Sequence, residues 1–140
     1  MNDLIKNIDQ LMEKASTNQA LENLDLMSKV IVGLASYMYT LGNHIAQADR
    51  DEATQEELLK YTRECIIKEV VEGKRGDKKT EAYAKALARE ETQELAEQYI
   101  KARYNAKLLG LKRMSVNTFI DTVRSRLSQK KQEINQVEVA

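Results

Sequence analysis

The sequence predicts an all-α protein: a long antiparallel helical hairpin of coiled-coil character, preceded by a short N-terminal helix and assembled as an oligomer. Three observations carry that expectation. None of the 140 residues is proline and only five are glycine, so the commonest helix breakers are scarce. Charged residues make up 31% of the chain, alongside abundant Ala, Leu and Gln. Apolar residues recur at steps of three and four over very long stretches, the repeat of a helix that keeps one stripe turned toward a partner. No sign of a sheet accompanies them.

The first element covers residues 1–16. Leu4, Ile8, Leu11 and Ala15 form an apolar stripe that Ile5 and Met12 widen. Ser16, Thr17 and Asn18 then supply side chains suited to capping a second helix, expected over 18–72. Its seam runs Ala20, Leu24, Met27, Ile31, Leu34, Met38, Leu41, Ile45 and Ala48. It passes two polar positions, Glu52 and Gln55, and recovers at Leu59 and Ile66.

Residues 73–79, "GKRGDKK", break this pattern and read as the hairpin tip, where charge is solvated at little cost. Thr80 is the expected N-cap of the last helix, 80–136, with Glu81 in the first turn where the helix dipole favours an anion. Its seam runs Leu95, Tyr99, Ala102, Ala106, Leu109, Arg113, Val116, Ile120, Val123, Leu127, Lys130, Ile134 and Val137. A fold-back at Gly76 sets Ala48 against Tyr104, Ala46 against Ala106 and Gly42 against Gly110, a thin waist of small residues.

One segment fits a lone hairpin poorly. Between Leu24 and Leu41 apolar residues occupy nearly every face, and a helix apolar all round must be covered all round. Self-association through Leu26, Val30, Val32, Tyr37 and Tyr39 is therefore expected, as a two-fold dimer or a higher assembly.

Zero net charge conceals segregation. Residues 101–131 hold nine lysines and arginines against Asp121 alone, whereas residues 49–72 hold eight acids against four bases. In the register above, the cationic stretch faces a sparsely charged part of the second helix, so its charge is not balanced within the hairpin. Lys101, Arg103, Lys107, Lys112, Arg124, Arg126 and Lys131 are the expected contacts to a negatively charged partner. Single-stranded nucleic acid is the first choice, bound at phosphates without base specificity. Tyr99 and Tyr104 lie near the start of the stretch, Tyr99 being assigned to the core.

Other chemistry is not encoded. His44 stands alone, without the further ligands a metal site requires. Cys65 is the only cysteine, which excludes an internal disulfide and suits a reducing compartment. The tip lacks the Gly-Lys-Ser/Thr ending of a phosphate-binding loop. No catalytic constellation, metal, cofactor or small-molecule substrate is expected. The N-terminus does not read as a secretory signal, and the most apolar run, 30–41, is too short to span a bilayer, so the expected location is the cytoplasm.

Three stretches, "YMYTLGNHIAQADRDEA", "GKRGDKKTEAYAKALA" and "AEQYIKARYNAKLLGLKRMSVNTFIDTVRSRLSQKK", carry a family resemblance over about two thirds of the chain. In layout the chain resembles small helical-hairpin proteins of tailed phages, some of them similar to the UvsY-type recombination mediators. The resemblance implies an oligomeric, non-enzymatic protein that binds single-stranded DNA and helps to load a recombinase, acting in the host cytoplasm. The short N-terminal helix departs from that pattern. A second reading is a phage-encoded inhibitor that docks on a host protein through its coiled-coil surface. A third is a structural assembly protein.

Overall fold

A computed structural model describes residues 1–17 and 23–139. These form four helices: α1 (Asn2–Ser16), α2 (Leu24–Val71), α3 (Glu81–Glu91) and α4 (Gln93–Val139). Among the described residues there is no strand, and none of the helices is long and apolar enough to cross a membrane. The chain divides into two compact units, Met1–Ile45 with Leu109–Ala140, and Ala46–Leu108.

In the first unit three helical stretches share a core. Ile8 and Ala15 of α1 are buried, as are Met27, Val30, Leu34 and Leu41 of α2 and Leu109, Val116, Ile120 and Val123 of α4. The heptad seam of α2 is thus the buried stripe, with Ile31, Met38 and Ile45 half-buried between the core positions. α1 settles against α2 at Gly33, where a Cβ would come within 3.1 Å of Leu11 Cδ1. α1 also reaches α4 through an ion pair between Asp9 and Lys112.

Helix starts and stops follow local chemistry. Asn23 caps α2, its Oδ1 accepting from the Leu26 amide at 3.2 Å. The two described hydroxyls of the expected Ser16–Thr17–Asn18 cap bond at the end of α1. Ser16 Oγ donates to Met12 O at 2.6 Å and Thr17 Oγ1 to Lys14 O at 3.1 Å, so both hydroxyls serve the carbonyls that end α1. Asn18 and the seam residue Ala20 lie outside the described residues.

The second unit folds α2 back on α3 and the start of α4. Ile66 and Val70 cluster with Ala84 and Ala88, flanked by Ile67 and Leu87, in keeping with a fold-back near Gly76. The alanines let α3 pack closely on α2. α2 ends in a Schellman motif: the Lys74 amide donates to Glu69 O at 2.9 Å, the Gly73 amide donates to Val70 O at 3.3 Å, and Gly73 takes φ +76°. Thr80 caps α3 as expected, accepting from the Tyr83 amide at 3.3 Å.

The tip is more tied down than its composition suggests. Arg75 donates from Nε to Glu69 at 2.8 Å and from Nη1 to Glu91 at 2.7 Å, joining the last turns of α2 and α3. Lys74 pairs with Glu72 at 3.0 Å, and the Lys79 ammonium stands 5.8 Å from the Tyr83 ring centroid. Two of the four cations at the break therefore hold the turn through carboxylates, and a third sits over a ring.

Several expectations are corrected. The last helix, expected unbroken over 80–136, is interrupted at Thr92, whose hydroxyl donates to Ala88 O at 2.6 Å and accepts from Arg63 Nε at 2.9 Å. The same back-bond at Thr62, Thr118 and Thr122 leaves their helices unbroken, so the added contact from Arg63 is what sets Thr92 apart. Thr92 is 1% exposed. The waist is absent: a Cβ on Gly42 or Gly110 would meet nothing within 4 Å. Ala48 and Ala106 are both buried, whereas Ala46 and Tyr104, their expected partners, are exposed. Arg113 leaves the seam for solvent, as a guanidinium without a buried acid must, and its neighbour Lys112 is half-buried instead. Ile134 and Val137 are exposed because nothing in the described chain covers them. Gln55 keeps its place on the seam of α2, but its Oε1 is buried and has no hydrogen-bond partner among the described residues.

Candidate nucleic-acid interface

The seven cationic residues expected to bind do not behave as one set. Lys112 is half-buried and committed to Asp9 of α1, so it is withdrawn as a contact. The other six, Lys101, Arg103, Lys107, Arg124, Arg126 and Lys131, are exposed, and among the described residues none forms an ion pair. They divide between the two units, with Lys101, Arg103 and Lys107 in the second and Arg124, Arg126 and Lys131 in the first.

The second-unit group is the more organised. α4 advances about 100° per residue. Arg103, Lys107, Ile100, Tyr104 and Leu108 therefore fall in that order across one face, with Lys101 at its far edge. Tyr104 is 64% exposed and Ile100 62%. The opposite face of the same stretch supplies buried Ala106 and half-buried Leu95, Tyr99 and Ala102 to the unit. α4 is thus held by its inner seam while an aromatic ring, bordered by cations, faces water.

The core seam alone does not reveal this outer row. Its signal was in the sequence: Ile100, Tyr104 and Leu108 recur at steps of four, out of phase with the core heptad. Tyr99 is half-buried as expected and lines a shallow cleft with Leu59, Lys60 and Arg63 of α2. In the first unit, Arg124 and Lys131 stand seven residues apart on one side of α4, and Arg126 points away from both. That group offers scattered charge and no ring beside it.

The expected self-association surface is also reduced. Val30 is 2% exposed, buried by its own chain, and is removed from it. Leu26 and Tyr37 are half-buried, Tyr37 lining a cleft with Asn7, Leu11 and Lys14 of α1. Val32 and Tyr39 remain exposed, one face of α2 with polar Ser36 between them. α1 covers more of the apolar segment than its length implied.

Among the described residues, no three His, Cys, Asp or Glu side chains come together as a metal site would require. His44 and Cys65 are half-buried. The neighbouring Cys65 thiol, one turn along α2, pushes the Tyr61 phenol above its ordinary range. No known protein family, curated protein or solved structure matches the chain.

Proposed function

We propose that the protein is a non-enzymatic accessory factor that binds single-stranded nucleic acid without sequence preference, in the manner of a recombination mediator. The observation that supports this most is the face of α4 where Arg103, Lys107 and Lys101 border exposed Tyr104 and Ile100. Phosphates are drawn to unpaired cations, and a base has a ring on which to stack, the two ingredients of sequence-tolerant single-strand binding. Duplex has no unstacked base to offer Tyr104, so single strands are the preferred form. Arg124, Arg126 and Lys131 add phosphate contacts.

The test is charge reversal on α4. Arg103→Glu with Lys107→Glu should weaken binding of a labelled single-stranded oligonucleotide at least 30-fold. Arg124→Glu with Arg126→Glu should weaken it by less, because no ring stands beside that pair. Unchanged affinity in the first variant would remove the proposal.

One feature favours a second reading. Ile100 and Leu108 belong to the same row as Tyr104 and gain little from phosphates. An acidic groove on a host protein, with an apolar floor, would use both. In that case the oligonucleotide titration is flat, and the protein acts as a docking inhibitor.

A further inference from the structure

The C-terminal end of α4 carries a seam with no partner. From Val116 the three–four spacing continues through Ile120, Val123, Leu127, Lys130, Ile134 and Val137. The first three are buried, Leu127 and Lys130 are half-buried, and Ile134 and Val137 are 44% and 78% exposed. A helix that keeps a coiled-coil repeat beyond its own chain's cover presents a docking stripe. Charge on the flanks of that stripe says what fits.

The residue before each seam position is Arg126 (before Leu127) and Glu133 (before Ile134). The residue after is Lys131 (after Lys130) and Glu138 (after Val137). All four are exposed and, among the described residues, unpaired. In a parallel pair of these ends, Lys130 would stack on Lys130 of the second copy. Arg126 would then flank Lys131, and Glu133 would flank Glu138. Every one of those contacts is repulsive.

Reversing one strand changes the match. With Leu127 on Val137 and Lys130 beside Ile134, the flanking pairs become Arg126 with Glu133 and Lys131 with Glu138. Both are attractive, and the two-fold axis produces each twice, as an isologous contact requires. We infer that the C-terminal end of α4, from Arg126 to Glu138, is a self-association stripe that takes the same segment of a second copy in antiparallel orientation. The overlap is under two heptads, so the pair is weak and concentration-dependent.

Sedimentation equilibrium of the full chain without nucleic acid tests this across about 5 to 500 μM. A monomer–dimer equilibrium is expected. Ile134→Asp should raise the dimer Kd at least tenfold while helical circular dichroism is unchanged, since the residue is exposed. Arg126→Glu should weaken dimerisation at least fivefold, and adding Glu133→Arg should bring it back to within about threefold of the parent. The inference is overturned by a chain monomeric throughout that range, by an Ile134→Asp variant that dimerises like the parent, or by a double charge swap that fails to restore the single one. Arg126 is shared with the proposed phosphate contacts, but this readout contains no nucleic acid, so the two ideas fail separately.

Discussion

Thr92 satisfies two groups with one hydroxyl, donating to the Ala88 carbonyl and accepting from the Arg63 guanidinium inside the second unit. Valine there fills the same space but leaves the guanidinium without its acceptor. Thr92→Val is therefore expected to cost about 1–3 kcal/mol in urea unfolding, and Thr92→Ser, which keeps the hydroxyl, markedly less. Gly42 and Gly110 pull the other way. Both lie inside long helices with open space where a side chain would go. Gly42→Ala and Gly110→Ala should each stabilise the protein by about 0.5–1 kcal/mol, an outcome the expected close waist would forbid. At this scale the sequence told little. Glycine reads the same whether it permits a close approach or merely tolerates a helix. A threonine at a helical position does not announce an arginine from another helix.

Whole elements were far more legible, because burial of an amphipathic stripe depends on many residues agreeing. Leu34, Leu41, Leu59 and Ile66 of α2, and Val116, Ile120 and Val123 of α4, are all buried where the heptad puts them. Thr80 caps the helix it was expected to cap. The seam failed where charge outweighed position: Arg113 turns to solvent while Lys112 is drawn toward Asp9. At the tip, Gly73 closes α2 in the left-handed conformation, and a Cβ there would meet Lys78 Cγ at 3.0 Å and Gly76 O at 3.2 Å. Gly73→Ala should cost roughly 1–2 kcal/mol in the same unfolding measurement. Arg75→Ala frees Glu69 and Glu91 and should lower the melting temperature, more at low salt than at high. Glu72 and Glu81 are held below the usual carboxylate range by hydrogen bonds from Lys74 and Lys85. Their small contribution is present above the ordinary glutamate value and fades as pH falls through the lowered one.

For the molecule as a whole, a net charge of zero is the least informative number the sequence offers. The cationic residues that matter are those that find no carboxylate, and only the folded chain separates Lys112, which does, from Lys101, Arg103 and Lys107, which do not. The aromatic partner was half legible: Tyr104 stands near the start of the cationic stretch in the sequence, yet the expected register set it against Ala48, and it faces water beside those cations. Stacking on it should be worth about 1–3 kcal/mol, so Tyr104→Ala is expected to weaken single-strand binding at least fivefold, and Tyr104→Phe to preserve it. The most direct measurement is fluorescence anisotropy of a labelled single-stranded oligonucleotide, titrated with the full chain at a series of salt concentrations. At about 0.7 per phosphate neutralised, three cations give a log–log slope near −2, and all six exposed ones a slope near −4. A slope between those values, flattened by about 1.4 in the Arg103→Glu, Lys107→Glu variant, is the predicted result. No rise in anisotropy at low salt, or a slope that the double reversal leaves unchanged, would contradict it.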